Sequence, residues 1–316
     1  MILVTGGTGF VGRSLLRALS RTEAAPVRVL IRPSGSSPKL PPGITMDAAL
    51  TSVEDERGVR AAMVGVDTVI HLASEERAGG RADLWKIDVQ GTRNVLNAAV
   101  EAGVSRFVFL SHVGANRSSA YPMMRAKAAA EEAIRQSGIP YTILRSSVAY
   151  GAEDRFTTHL AMQIAMTPII YPLPGDGSTL LQPVWVEDLA IALSWILDED
   201  RFDGETYNVG GPEFLRYEEI VQLVLRASGM TRFLLPMRQP YLRGGSWLLD
   251  RILRRPPVSP LWLDYLAVNR TAELDSLPSM IGLQPARMEG RLSYLAGKNW
   301  GWELIRRQFR SNGVRP

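Results

Sequence analysis

The chain has 316 residues, of which 46% are hydrophobic and 22% charged, which is ordinary for a folded protein of one large domain or slightly more. The absence of cysteine excludes disulfides and thiolate metal sites, and the three histidines lack the short spacings of a metal centre, so we predict no metal. The net charge of +4 is modest, no apolar segment is long enough to span a bilayer, and a strand pattern begins at Met1, so we expect a cytoplasmic protein without a targeting peptide.

The first thirteen residues carry the strongest chemical signal. A short apolar, β-branched run, ILVT, is followed by GGTGFVG and then by apolar residues at helical spacing. In such a strand–turn–helix unit Gly6 permits the tight turn, Gly9 lets the backbone approach a pyrophosphate, and Gly12 lets the helix pack on the strand. The helix N-terminus offers unpaired N–H groups to the phosphates. The pattern predicts a dinucleotide site.

The second predicted strand, VRVLIRPS, indicates which dinucleotide is bound. Proteins that hold the free ribose 2′-hydroxyl of NAD usually place an acid at the end of this strand, but here the position is Arg32, and Arg13 follows Gly12. A guanidinium can bind a 2′-phosphate with two hydrogen bonds, and no carboxylate at this strand end repels it. We therefore expect NADP(H) rather than NAD(H). The alternative is that Arg32 is only a solvated strand end.

Strands and helices then alternate through the first half of the chain, in DTVIHLAS, DVQGTRNVLNAAVEAG, SRFVFLSH, AKAAAEEAIRQSG and PYTILRSS. Near-continuous apolar strands in such an alternation predict an α/β fold, a doubly wound parallel sheet covered on both faces. The regular alternation of predicted strands and helices ends near residue 151. We predict a dinucleotide-binding domain of residues 1–150 and about 184–211. A smaller, mostly helical domain for substrate or partner docking is predicted from about 151–183 and 212–316.

These segments resemble successive landmarks of the extended and atypical short-chain dehydrogenase/reductases, the NAD-dependent epimerase/dehydratase superfamily. The stretches TGGTGFVG, VIHLAS, FVFLSH and TILRSSVAYG occur in the expected order. More narrowly, ILRSSVAYGAEDRF, PLPGDGSTLLQPVWVEDLA and GETYNVGGPEFLRYEEIV resemble one atypical branch. That branch includes proteins similar to the dehydrogenase-like accessory subunit of respiratory complex I and to factors that assist the assembly of photosynthetic and respiratory complexes.

The resemblance supplies a test for catalysis. Active members use an Asn, a Ser and a Tyr-x-x-x-Lys pair, in which Lys holds the nicotinamide ribose, Tyr transfers a proton and Ser orients the carbonyl. The matching positions here are Asp88, His112, Met123 and Lys127, so only the lysine remains. A thioether has no proton to donate. The resemblance therefore implies a degraded catalytic tetrad.

Two residues keep a candidate catalytic role. Lys127 can hold a ribose, and His112 has a side chain that titrates near neutral pH and could replace the missing acid or base. Alternatively, Lys127 is a solvent-facing helix lysine and His112 a loop histidine bonded to backbone. We expect the cofactor to be bound by residues of the glycine turn, of the strand ends and of the Lys127 helix: Gly6, Thr8, Gly9, Phe10, Val11, Gly12, Arg13, Arg32, Ser52, Val53, Leu72, Ala73, Ser74, Lys127 and Val148.

Basic charge and tryptophan are concentrated near the C-terminus. Residues 232–255 contain six arginines and one acid, and the segments GGSWLLDRILRRPPVSPLWLDYL and NWGWELIRRQFR each join two tryptophans to arginines. Basic amphipathic helices with tryptophan are typical of surfaces that dock on membranes or partner proteins. The alternative is that they cover the small domain's own core. We expect no nucleic acid partner.

These observations favour an NADP(H)-binding protein with little classical turnover. The resemblance implies an accessory or assembly subunit of a membrane-associated, complex I-like electron-transfer complex, cytoplasmic and attached peripherally at the inner face of the membrane. The alternative is an active NADP-dependent reductase or epimerase of a small carbonyl substrate that uses Lys127 and His112.

Overall fold

The computed structural model describes residues 1–21, 25–33, 40–41, 46–197, 199–253 and 255–309. Its strands are β1 (Ile2–Thr5), β2 (Val27–Ile31), β3 (Asp47–Leu50), β4 (Thr68–His71), β5 (Arg106–His112), β6 (Tyr141–Ser146), β7 (Ala149–Tyr150), β8 (Ile170–Pro174), β9 (Leu180–Leu181), β10 (Val184–Trp185), β11 (Glu205–Val209), β12 (Leu215–Arg216) and β13 (Phe233–Met237).

The helices are α1 (Phe10–Leu19), α2 (Glu56–Ala62), α3 (Thr92–Glu101), α4 (Pro122–Arg135), α5 (Thr157–Met166), α6 (Val186–Trp195), α7 (Tyr217–Ser228), α8 (Gln239–Ile252), α9 (Pro260–Tyr265), α10 (Ser276–Ile281) and α11 (Trp300–Phe309). Short 3₁₀ turns lie at Glu76–Arg81, Asp200–Phe202, Glu289–Arg291 and Ser293–Leu295. A π-helical turn, Trp85–Gly91, runs directly into α3. Such turns are rare and often lie at functional sites.

A seven-stranded sheet has the order β11–β6–β5–β4–β1–β2–β3, and each neighbouring pair is parallel. From β1 the chain builds β2 and β3 on one side and then crosses back to place β4 on the other side. Open α/β sheets bind ligands at the carboxyl ends of the strands beside such a reversal. The predicted doubly wound parallel fold is confirmed, and the reversal places its candidate cleft above β1.

Both faces of the sheet are covered. Successive side chains of a strand point to opposite faces, and accordingly Ile2 and Val4 of β1 belong to one apolar cluster while Leu3 belongs to another. The first cluster includes α1 and α6 residues, and the second includes residues of α2, α3 and α4. Burial on both faces explains why these strands read as near-continuous apolar runs.

A third apolar cluster joins α5, α7 and α11 with β8 and β9. Around it the short strands form two-stranded ladders, β7 with β10, β8 with β13 and β9 with β12. The 184–211 stretch contributes β11 to the edge of the large sheet and α6 to one of its faces. The division of the chain into two domains at the predicted boundaries stays a prediction.

Candidate functional site

The turn between β1 and α1 is shaped by contacts that leave no room for side chains. Gly6 has a φ of +71°, and its carbonyl oxygen accepts a hydrogen bond from the Gly9 N–H at 2.9 Å. A Cβ atom on Gly12 would lie 2.4 Å from that same carbonyl oxygen and 2.6 Å from the Gly7 Cα. No side chain caps the start of α1, so its first N–H groups are not used by a capping residue. This cradle fits a pyrophosphate.

The segment after β4 forms one wall of the turn. A Cβ atom on Gly6 would lie 2.7 Å from the carbonyl carbon of Leu72 and 2.8 Å from the Ala73 nitrogen, so the two chain segments are in direct contact. Ser74 follows, and its hydroxyl accepts a hydrogen bond from the Glu76 N–H at 3.3 Å. The predicted cofactor residues Leu72, Ala73 and Ser74 are thereby brought beside the glycine turn.

Ser52 and Val53 lie at the carboxyl end of β3, and Val148 follows β6. Asn94 of α3 donates a hydrogen bond to the Val53 carbonyl at 3.1 Å. Asn94 is a residue that the sequence did not single out, and it fixes the loop that carries Ser52 and Val53. Thr8 lies in the glycine turn, and Phe10 and Val11 form the first turn of α1.

The two predicted phosphate-binding arginines are both engaged. Arg13 donates to the Thr8 carbonyl and to Glu153, each at 3.0 Å, and Arg32 donates to Glu75 at 3.3 Å. The sequence-based premise that no carboxylate opposes a 2′-phosphate at Arg32 is wrong. The acid comes from the loop after β4, which the alternation pattern could not bring next to the end of β2.

Lys127 is buried rather than solvent-facing. Its Nζ lies 3.0 Å from Asp88 Oδ1, and the two side chains are 4% and 0% exposed. The other Asp88 carboxylate oxygen accepts a hydrogen bond from the Glu75 N–H at 3.0 Å. Asp88 therefore neutralises the buried Lys127 ammonium. Contact of Lys127 with a ribose stays a prediction.

Met123, at the tyrosine position, is 4% exposed and belongs to the third apolar cluster. Its neighbour Met124 is 1% exposed, and its sulfur receives a hydrogen bond from Arg270 at 3.2 Å. Tyr121 lies at the N-cap of α4, before its first turn. The start of α4 thus packs both methionines into this apolar cluster.

His112 has two partners that come from distant parts of the chain. Its Nε2 lies 3.2 Å from Glu76 Oε2, and its ring meets the Tyr265 ring edge-on with centroids 6.3 Å apart. Burial alone would raise the pKa of Glu76, but its contact with His112 and the positive charges of Lys127 and Arg155 lower it to about 2. Glu76 is therefore a carboxylate at neutral pH. The alternative of a loop histidine bonded only to backbone is wrong.

His71 links β1, β4 and α3 beneath the site. Its Nδ1 lies 2.7 Å from the Thr5 hydroxyl and its Nε2 lies 2.9 Å from that of Thr92, which donates to the Asp88 carbonyl at 2.6 Å. The ring is fully buried. Burial, and secondarily the charge of Lys127, lowers the pKa of His71 to about 3. The imidazole is therefore neutral in the folded protein.

This neutral imidazole should make the folded state sensitive to mild acid. The unfolded chain binds a proton at His71 below about pH 6.5 while the folded chain does not, so stability present above that pH is lost as the pH falls towards 3. Between pH 7 and 5 this group alone should remove about 2 kcal/mol from the free energy of unfolding. Urea unfolding at both pH values checks it. His71→Gln should be less stable at pH 7 yet lose about 2 kcal/mol less on acidification, and equal losses would contradict the assignment.

The tryptophan and arginine segments divide between the interior and the surface. Trp300 is 4% exposed, and Trp262 stacks on Tyr265 with ring centroids 5.2 Å apart. Trp247 and Trp302 are 54% and 61% exposed. Trp300 is therefore buried and Trp262 partly buried, whereas Trp247 and Trp302 are exposed. Arg254 and residues 310–316 lie outside the described residues.

The C-terminal end of α11 is hydrogen-bonded to the chain just after α8. The Gln308 side chain of α11 exchanges two hydrogen bonds of 3.0 Å with the backbone of Arg255, just after α8. We call the exposed apolar residues of the two helices the α8/α11 surface: Tyr241, Trp247, Leu248, Ile252, Trp302, Ile305 and Phe309. Arg251 lies over the Trp247 ring at 4.1 Å, and Arg306 lines a shallow cavity with Trp302 and Phe309. Within the described residues, no helix is both long and apolar enough to cross a bilayer.

Comparison with known proteins bears on this site. The model of the NAD dependent epimerase/dehydratase family matches residues 2–210. A relative from Arabidopsis thaliana, named NADH dehydrogenase (ubiquinone) 1 alpha subcomplex subunit 9, mitochondrial, is 32% identical over 230 residues, which are 70% of this chain and 56% of the relative. The Mus musculus protein of the same name is 29% identical over 303 residues, covering 90% of this chain and 77% of the relative. The chain thus spans little more than half of the Arabidopsis relative.

Among solved structures, the NADPH-dependent quinone oxidoreductase of Escherichia coli in complex with NADPH superimposes with a TM-score of 0.72. The match covers 93% of this chain and 99% of the other at 19% identity. At that identity the likeness concerns the fold alone. The family description names NAD and this neighbour holds NADPH, so the fold accepts a nicotinamide dinucleotide of either kind.

Proposed function

We propose that this chain, which belongs to the NAD dependent epimerase/dehydratase family, is a nucleotide-binding accessory or assembly subunit of a membrane-associated, complex I-like electron-transfer complex. Relatives from a plant and a mammal are named as subunits of NADH dehydrogenase (ubiquinone), which supports the partner. The nucleotide would be a structural or sensing ligand, with little or no oxidoreductase turnover.

One observation carries the loss of turnover. At the position of the tyrosine proton donor, Met123 is packed into an apolar cluster, and a thioether has no proton to transfer. Lys127, four residues later, is held in a buried ion pair with Asp88 at 3.0 Å. A lysine with that partner can still position a ribose hydroxyl, but it has no phenol beside it to activate. The site therefore keeps a lysine that can bind the ribose but lacks a phenol that could transfer a proton.

We infer that the bound nucleotide is NADP(H). Arg32 at the end of β2 is 64% exposed, and Arg13 lies one residue beyond the last glycine of the turn. Two guanidinium groups at this edge favour a ligand that carries an additional phosphate. When bound, the nicotinamide supplies hydride chemistry, and the residues of this chain hold and orient it.

We also infer that the α8/α11 surface docks this subunit at the membrane complex. Exposed tryptophan and phenylalanine beside arginine suit either the headgroup layer of a membrane or the apolar rim of a partner subunit. Peripheral attachment at the cytoplasmic face of the membrane, with residues 151–183 and 212–316 as the docking domain, is part of this proposal. The rest of the molecule would present the nucleotide site to the interior of the complex.

The double substitution Trp302→Ser/Phe309→Ser should detach the protein from cell membranes. Both side chains are mostly exposed, at 61% and 81%, so the fold should tolerate their loss. Burying two aromatic side chains stabilises an association by about 1.5–3 kcal/mol each, so sedimentation with membranes should fall at least tenfold.

Trp195→Ser is the matched control, because Trp195 is 44% exposed but lies on α6, away from the α8/α11 surface. It should leave sedimentation unchanged. Equal sedimentation of the double variant and the wild-type protein would refute docking through α8 and α11.

A second candidate function rests on the hydrogen bond between His112 and Glu76 at 3.2 Å. A carboxylate that orients an imidazole is the usual companion of a general acid or base. In this alternative the protein is an NADP-dependent reductase or epimerase of a small carbonyl substrate. His112 would transfer the proton, and Lys127 would hold the ribose. His112→Gln would then abolish turnover and leave nucleotide affinity unchanged.

A further inference from the structure

The ion pair between Arg32 and Glu75 lies across the entrance of the nucleotide site. Arg32 follows the last residue of β2, and Glu75 lies four residues after the end of β4. In the sheet β1 lies between these two strands, and the glycine turn continues from its carboxyl end. A contact of 3.3 Å between Arg32 and Glu75 therefore bridges the two sides of that turn.

We propose that Glu75 weakens the preference for NADP(H) over NAD(H) by competing with the 2′-phosphate for Arg32. This inference rests on the proposed binding of a dinucleotide at the glycine turn. Glu75 contacts one nitrogen of the Arg32 guanidinium, so a 2′-phosphate that engages Arg32 must share or displace that contact, and the carboxylate repels the phosphate. A free ribose 2′-hydroxyl meets no repulsion, because a carboxylate accepts its hydrogen bond. Glu75 thus opposes one nucleotide and assists the other.

The two partners differ in how firmly they are held. The Glu75 N–H donates to Asp88 Oδ2 at 3.0 Å, and that carboxylate also pairs with buried Lys127. The Glu75 side chain is 24% exposed, whereas the Arg32 side chain is 64% exposed. The backbone of Glu75 is therefore anchored, and its side chain is less exposed than that of Arg32. We expect Arg32 to be the partner that moves when a 2′-phosphate binds.

A second acid lies near Arg32 but is already paired. Glu54 lies 2.5 Å from Lys86, and the lowered pKa of Glu54 comes mainly from that lysine, with a smaller effect of Arg32. The negative charge of Glu54 is therefore largely balanced by Lys86, without Arg32. Glu75 has no such second cation in contact among the described residues. The competition for Arg32 is therefore assigned to Glu75.

The test is to measure dissociation constants of NADP+ and NAD+ by calorimetry at one fixed ionic strength. Glu75→Gln should tighten NADP+ binding about fivefold and weaken NAD+ binding about twofold, since an exposed ion pair no longer has to be broken. Arg32→Gln should weaken NADP+ binding at least about tenfold with little effect on NAD+. In the double variant Glu75→Gln should improve NADP+ affinity by at most about twofold, because the Arg32 guanidinium for which Glu75 competes is absent.

Glu101→Gln is the control for the change in net charge. Glu101 pairs with Arg60 at 2.9 Å, and neither residue belongs to the nucleotide site. The ratio of the two dissociation constants should stay at the wild-type value in this variant. If Glu75→Gln also leaves that ratio unchanged while both nucleotides bind, the inference about Glu75 is overturned and the proposed function stands. If the wild-type protein binds neither nucleotide, both fall.

Discussion

Replacing Asp88 by alanine should lower the free energy of unfolding by about 3–5 kcal/mol. The substitution leaves the Lys127 ammonium buried, at 4% exposure, without its partner 3.0 Å away. It also removes the acceptor of the Glu75 N–H. An uncompensated buried charge costs far more than the pair itself contributes, so the loss should exceed that of any exposed ion pair. Urea unfolding at pH 7 measures it.

Two variants separate this explanation from simple loss of packing. Asp88→Ala/Lys127→Met removes the charge together with its partner and should recover at least half of the lost stability. Glu101→Ala breaks an ion pair whose two side chains are 54% and 55% exposed, and should cost less than about 1 kcal/mol. If Asp88→Ala were as mild as Glu101→Ala, the buried ion pair would not have the importance assigned to it.

Replacing Gly12 by alanine should have the second large effect, on both stability and nucleotide retention. The new methyl group would lie 2.4 Å from the Gly6 carbonyl oxygen and 2.6 Å from the Gly7 Cα, and neither backbone atom can move without opening the turn. We expect a loss of about 2–3 kcal/mol in the free energy of unfolding and no detectable co-purified nucleotide.

Gly244→Ala is the matched control for Gly12→Ala. Gly244 lies inside α8 with nothing within 4 Å of an added Cβ atom. There the same methyl group should stabilise the helix by up to about 1 kcal/mol and leave the nucleotide in place. If Gly12→Ala kept its nucleotide, the turn would not be the phosphate cradle.

The fold and the phosphate turn could be predicted because their causes are local in the sequence. Gly6, Gly9 and Gly12 contact one another within seven residues, so their spacing alone indicates the turn. Strand alternation also turns Ser111 away from its neighbour His112: the Ser111 hydroxyl donates to Glu131 of α4 at 2.6 Å. Period and spacing encode such features directly.

The electrostatics of the site could not be predicted, because its pairs join residues far apart in the chain. Arg32 and Glu75 are 43 residues apart, and His112 and Glu76 are 36 apart. Tyr265 reaches His112 from α9, which no spacing rule connects to β5. The one available signal was the adjacent pair Glu75 and Glu76 directly after a buried strand, at the ligand-binding edge of the sheet.

The tryptophan segments show a different limit of sequence patterns. Amphipathic spacing predicted helices with apolar faces; α8 overlaps the start of the first segment, and α11 lies within the second. The pattern does not say which apolar residues meet the core. Trp262 and Trp300 pack inward, as the core-covering interpretation expects, while Trp247 and Trp302 stay exposed, where the proposed docking would use them.

The central claim is that this protein holds a nicotinamide nucleotide that it does not turn over. The most direct measurement extracts the nucleotide that co-purifies with the protein and follows its redox state while small carbonyl compounds are added. We predict tightly held NADPH that none of them oxidises, because Met123 stands where the proton donor would be. Oxidation by even one carbonyl compound at an enzyme-like rate, lost in His112→Gln, would contradict the account and make His112 the proton donor of an active reductase.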